Sequence, residues 1–150
     1  CFPMNAKKLL AEWSNKTHSD LSDLAQEIWG FLPENAFVAV EGEMGAGKTT
    51  TISAFIQAAQ IEHFEGSPTF AIVQSYVSPS KGKIFHLDCY RIENETELLN
   101  LGLEELFEQK AVFFVEWSEK IEQILPYQLF WLYIRTNPDL SRTLELYHDN

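Results

Sequence analysis

Apolar residues Leu21, Leu24, Ala25, Ile28, Trp29 and Leu32 fall at i, i+3, i+4, i+7, i+8 and i+11, which marks one face of a helix. Thr17-His18-Ser19-Asp20 ahead of them has the form of a capping box, and Pro33-Glu34-Asn35 ends the helix. The pattern then changes. Ala36-Phe37-Val38-Ala39-Val40 is an unbroken apolar run, the mark of a strand buried on both faces. After a glycine-rich stretch, Ile52, Phe55, Ile56 and Ala59 form the buried stripe of a second helix. Short segments rich in β-branched and aromatic residues at 70–77, 83–88, 111–116, 129–135 and 142–147 predict five more strands. Ser78-Pro79-Ser80-Lys81-Gly82 is the turn between the first two of these. Residues 93–109 read as a polar-faced helical stretch with Leu99, Leu103 and Leu106 inward and a bend near Gly102. Residues 118–125 read as a short helix stopped by Pro126. Interleaved strands and helices predict an α/β sandwich of P-loop type, with a central, mostly parallel sheet, antiparallel edge strands and flanking helices.

The glycine-rich stretch is the most informative part of the chain. Gly42-Glu43-Met44-Gly45-Ala46-Gly47-Lys48-Thr49 satisfies the pattern G-x-x-x-x-G-K-[ST] in full, with the expected strand before it and helix after it. Such glycines let backbone N–H groups converge on phosphate oxygens, and the following helix points its positive end at the same place. Lys48 is expected on the β- and γ-phosphates and the Thr49 hydroxyl on Mg²⁺. A guanine-reading Asn-Lys-x-Asp segment is missing: Asn15-Lys16-Thr17-His18 fails it and precedes the loop. ATP or ADP is therefore expected over GTP.

Turnover also requires an acid that holds Mg²⁺ or its water and a group that orients the attacking water. Two apolar segments end in an acid, Ile84-Phe85-His86-Leu87-Asp88 and Ala111-Val112-Phe113-Phe114-Val115-Glu116. Either acid could merely cap a loop, but two such strands beside a phosphate loop favour a joint site. Glu116, which follows five apolar residues, is assigned with Thr49 to the metal, and Asp88 to the attacking water; the reverse assignment stays open. His86 alternates with apolar neighbours and reads as a hydrogen-bonded core histidine.

Composition narrows the partners. At 150 residues and 45% hydrophobic content the chain is expected to form one domain over 1–150, and it has no apolar run of membrane-spanning length. No membrane role and a cytoplasmic location are expected. Met4 is a candidate initiator, which leaves Cys1-Phe2-Pro3 either native or a remnant ahead of it, and Cys1 and Cys89 are expected to form neither a disulfide framework nor a metal knuckle. A net charge of −11 with only three arginines, Arg91, Arg135 and Arg142, opposes a broad direct grip on nucleic acid, which depends on Lys and Arg at phosphates.

Taken together, these segments resemble the TsaE (YjeE) family, small bacterial ATPases of the tRNA threonylcarbamoyladenosine pathway. The resemblance runs through the loop up to Thr50, through Ser67-Pro68-Thr69-Phe70, through His86-Leu87-Asp88-Cys89-Tyr90-Arg91, through Leu98 to Phe107 with Gly102 inside, similar to the family's Leu-Gly-Leu-Glu-Glu helix, and through Glu116-Trp117. Ser118 stands where the family's Glu-Trp-Pro motif has proline. The resemblance implies ATP hydrolysis, slow in the isolated protein, that serves a complex with TsaB-like and TsaD-like proteins, with tRNA engaged only indirectly. It implies a switch-like Thr69 near the γ-phosphate, although Ser-Pro-Thr is also ordinary turn chemistry. It also implies an Arg142 near the nucleotide and an adenine near Asp20 and Leu21. Trp117 is read either as stacking near the nucleotide or a partner, or as packing. Tyr90 and Arg91 either order the Asp88 loop or, for Arg91, pair with Glu93 or Glu95. The acids from Glu93 to Glu108 form a solvated face, or a surface for a basic partner. Two other functions share the loop: a small-molecule kinase, disfavoured by the scarcity of arginines for a lid, and a nucleotide-gated binding module with little hydrolysis.

Overall fold

A computed structural model describes residues 7–43, 45–61, 63–66, 73–126 and 128–149. Its strands are β1 (Lys7–Lys16), β2 (Ala36–Gly42), β3 (His63–Gly66), β4 (Val73–Ser78), β5 (Gly82–Asp88), β6 (Val112–Glu116), β7 (Phe130–Thr136) and β8 (Arg142–Asp149). Its helices are α1 (Leu21–Trp29), α2 (Lys48–Ala58), α3 (Glu95–Asn100) and α4 (Leu103–Leu106). All eight strands join one sheet in the order β1-β8-β7-β2-β6-β5-β4-β3. β7, β2, β6 and β5 run parallel, while the flanking pairings β7–β8, β8–β1, β5–β4 and β4–β3 are each antiparallel. This is the expected mixed α/β architecture.

β2 and β6 are apolar and buried from Ala36 to Val40 and from Val112 to Val115 because both sheet faces are covered there. On one face Val38, Val40 and Phe114 pack beneath α1 and α2 through Trp29, Ile52 and Phe55. Phe55 stacks on Phe114 at 4.8 Å, and the Trp29 ring meets Phe114 edge-on at 5.6 Å while its Nε1–H donates to the Phe55 carbonyl at 2.9 Å. On the other face Phe37, Ala39, Phe113 and Val115 pack with Leu98, Leu103 and Ile121. The two layers bury β2 and β6 on both faces, and those strands lead to the glycine loop and to Glu116.

Several local expectations change. β1 has no counterpart in the sequence pattern, because register shifts between Leu9 and Ala11 and between Trp13 and Lys16 break the alternation that would identify a strand. β3 is a four-residue edge strand paired to β4, too short for a pattern. The strand expected at 70–77 is described from Val73, and residues 70–72 lie outside the described residues. In the stretch 93–109, Gly102 adopts φ +69° and divides α3 from α4, which resets the helical phase. Leu99 is consequently 59% exposed and not inward, and Leu98 takes the buried place with Leu103. Residues 118–125 form a 3-10 segment (Ser118–Ile124) with a kink at Ile121 in place of an α-helix.

Candidate phosphate site

The C-terminal ends of the parallel strands bring the predicted groups together. β2 runs into the loop, and a Cβ at Gly42 would lie 2.7 Å from the Ile134 carbonyl oxygen, so only glycine fits beside β7. Gly47 adopts φ +93° and delivers the chain into α2, where the Thr51 N–H and Oγ1–H both donate to the Gly47 carbonyl, at 2.9 and 2.8 Å. The loop therefore ends on the N-terminus of an 11-residue helix, the positive end of its dipole.

Lys48 is the first residue of α2 and is largely buried; its ammonium lies 4.3 Å from the centre of the Trp117 ring. Thr49 Oγ1 lies 3.0 and 3.1 Å from the two oxygens of Glu116, to which its hydroxyl donates. Glu116, only 3% exposed, also meets His86 Nε2 at 2.7 Å. Two strands and a helix thus supply one polar knot: β6 carries Glu116, β5 carries His86, and α2, which follows β2, carries Thr49. Asp88 pairs in register with Glu116, but its side chain is exposed, and its Oδ1 accepts the Tyr90 N–H at 3.2 Å. One acid is enclosed and one stands at the mouth.

Lys48, Thr49, Asp88, Glu116, Trp117 and Arg142 line one cleft of about 480 Å³. Thr50 belongs to this cleft and to an adjoining one of about 310 Å³ whose walls include His18, Ser19, Gln26, Ser53 and Gln57. Arg142 braces the loop: its Nε–H donates to the Ala46 carbonyl at 2.9 Å and Nη1 to the Leu140 carbonyl at 2.8 Å. A larger cleft of about 690 Å³ lies across β7 and β8 between Lys7, Tyr133, Glu145 and Tyr147. It touches Gly45 and Ala46 but holds none of the Lys48–Thr49–Glu116 group, so size alone does not mark the chemistry.

Of the residues singled out from the sequence, Gly42, Glu43, Gly45, Ala46, Gly47, Lys48, Thr49 and Thr50 form the loop and helix start, with Asp88, Glu116 and Arg142 beside them. Met44 and Thr69 lie outside the described residues. His86 is hydrogen-bonded, and its partner is the site carboxylate itself; strand periodicity could not reveal this, because it does not say which strands are neighbours. Arg91 is exposed and forms no ion pair among the described residues. Trp117 both packs and faces the cleft, with its ring 5.0 Å from that of Tyr90. Cys89 is fully buried, and burial, together with Asp88, Glu119 and Glu116, pushes its thiol up to about 12, so it is no nucleophile. Among the described residues no group of three His, Cys, Asp or Glu side chains gathers to hold a metal alone. A hydroxyl and one carboxylate suit a metal that takes its remaining ligands from phosphate and water.

The chain is similar to known proteins in sequence and in fold. The family model for the threonylcarbamoyl adenosine biosynthesis protein TsaE matches residues 10–144. The TsaE protein of Bacillus subtilis is 32% identical over 133 residues, covering 89% of this chain and 82% of that protein. That of Rickettsia prowazekii is 34% identical over 125 residues, with 79% and 82% covered. That of Aquifex aeolicus is 31% identical over 115 residues, with 75% and 80% covered. The crystal structure of Bacillus subtilis YdiB superposes with a TM-score of 0.74 at 26% identity, covering 96% of this chain and 88% of that one. A family model matched over residues 10–144 and relatives more than 30% identical along most of their length show that the chain belongs to the TsaE family of tRNA threonylcarbamoyladenosine biosynthesis proteins.

Proposed function

We propose that this protein binds and hydrolyses ATP with Mg²⁺ and thereby supports threonylcarbamoyl transfer to tRNA adenosine, through a complex with TsaB-like and TsaD-like proteins. The observation that carries the reading is the convergence of the Thr49 hydroxyl on both oxygens of a buried Glu116, beside a glycine loop that opens a helix. In this reading the loop N–H groups and the α2 N-terminus bind the phosphates, Lys48 faces the β- and γ-phosphates, and Thr49 with Glu116 would hold Mg²⁺. A Mg²⁺ ion held there would supply neutralisation of the phosphate charge. Asp88, at the solvent side, orients the attacking water. The cleft that adjoins at Thr50 offers polar side chains for ribose and base, and Leu21 in its wall is the first residue of α1, near which the family resemblance implies adenine.

Calorimetric titration with ADP, ATP, GDP and GTP in Mg²⁺ tests the nucleotide assignment. Adenine nucleotides are expected to bind at least about tenfold tighter than guanine ones, or about 1.4 kcal/mol. GTP binding of equal or greater strength overturns it. Phosphate release measured with and without the TsaB-like and TsaD-like proteins tests turnover.

The same reading keeps tRNA at a distance. With net charge −11, the isolated chain is expected to bind tRNA weakly at low salt and not measurably at physiological ionic strength. Filter binding across a salt series checks this, and tight, salt-resistant binding contradicts it.

A further inference from the structure

Ser118, where the related motif has proline, is completely buried, and its Oγ–H donates to Glu41 Oε1 at 2.8 Å. Glu41 is the residue immediately before the phosphate loop, at the end of β2. Ser118 immediately follows Trp117, whose backbone is left-handed at φ 58°, ψ 46°, a conformation unfavourable for a bulky residue that must be held by its surroundings. The Trp117 carbonyl accepts the Lys120 N–H at 3.0 Å, which makes Trp117 the cap of the 3-10 segment. Its ring then lies against the ammonium of Lys48, the last-but-one residue of the loop motif.

These contacts close a circuit from the root of the loop to its end: Glu41 to Ser118, along the chain to Trp117, and through the ring to Lys48. We propose that Glu41 and Ser118 are positioning residues for the phosphate site, holding Trp117 in its left-handed cap so that its ring aims the Lys48 ammonium into the cleft. The functional part of this inference rests on the ATP reading above; the geometric part does not. A serine has no ring to set its φ, as proline at the first helical position would, so here a hydrogen bond to the loop's own root does that work. The arrangement also makes the aim of Lys48 depend on the position of β2, because the acceptor is a β2 side chain.

Nuclear magnetic resonance of the free protein tests the geometry without any nucleotide. The ε-methylene protons of Lys48, identified by their absence in Lys48→Ala, are expected well upfield of the other lysines because they lie over an indole face. Trp117→Leu is expected to abolish that displacement and Ser118→Ala to reduce it by about half or more, while Ser118→Thr, which keeps the hydroxyl, retains it. In Mg²⁺–ATP titrations Ser118→Ala is expected to weaken binding about fivefold to tenfold, the scale of one net hydrogen bond. The same change made in the Trp117→Leu background should then add little, because the path through the ring is already gone.

If the Lys48 signal stays in place in Ser118→Ala, or if the losses from Ser118→Ala and Trp117→Leu are fully additive, the bond is merely structural and the proposal fails. Should Ser118→Ala not fold by circular dichroism, Glu41→Gln, which weakens the acceptor and keeps its shape, must move the Lys48 signal in the same direction, and an unmoved signal overturns the proposal. A wild-type protein that shows the upfield Lys48 signal but binds no ATP would overturn the ATP reading and leave the geometric result standing.

Discussion

Replacing Glu116 with glutamine is expected to raise the Mg²⁺ concentration needed for ATP binding about tenfold or more, whereas Asp88→Asn should leave binding nearly unchanged and lower turnover by about 10²-fold. The two acids end neighbouring strands in the same register, yet their surroundings differ. Glu116 is enclosed between Thr49 and His86, so its negative charge faces a hydroxyl that suits a cation and very little water. Asp88 is exposed and hydrogen-bonded to a backbone N–H of its own loop, which leaves a lone pair open to solvent at the cleft mouth. Glutamine keeps the shape of Glu116 and removes the charge that a hard cation requires. Mg²⁺-dependent ATP affinity and single-turnover hydrolysis, measured on both variants, separate the roles. Loss of metal affinity in Asp88→Asn together with loss of turnover alone in Glu116→Gln would reverse the assignment.

Lys48→Ala is expected to weaken ATP binding about 10²-fold or more and to abolish measurable turnover, with the fold retained. Because the ammonium is the cationic partner of the Trp117 ring, the substitution also removes a packing contact, and a stability loss of about 1 kcal/mol is expected with it. Circular dichroism melts and calorimetric ATP titrations check the two parts separately. A variant that melts early yet hydrolyses ATP at the wild-type rate when folded would contradict the role given to Lys48.

Much of this site was legible in the chain because its parts are local or strictly periodic. The loop from Gly42 to Thr49 is a contiguous motif, and the buried strands β2 and β6 announce themselves as unbroken apolar runs that end at a glycine and at Glu116. Contacts across strands were not legible. That His86 meets Glu116, or that Ser118 reaches Glu41 across 77 positions, depends on strand order and on a left-handed Trp117, neither of which leaves a periodic trace. Leu99 was assigned inward because the helical phase was carried through Gly102, where the backbone changes hand and the phase restarts. β1 escaped notice because bulges disrupt its alternation, although Leu10 and Trp13 still reach the core under α1.

The clasp between β1 and β8 also has a kinetic side. Arg142 grips the loop carbonyl of Ala46 from 96 positions further along the chain, and Lys7 pairs with Asp149 in the same antiparallel ladder. During synthesis α1, β2 and α2 exist as neighbours long before β8 does, so the glycine loop must wait, without its Arg142 brace, until that strand is made. Contacts of such long sequence separation form late and slow the folding rate. In refolding experiments the loop is therefore expected to gain its amide-exchange protection in the same late phase as β8, after α1 and α2 have formed.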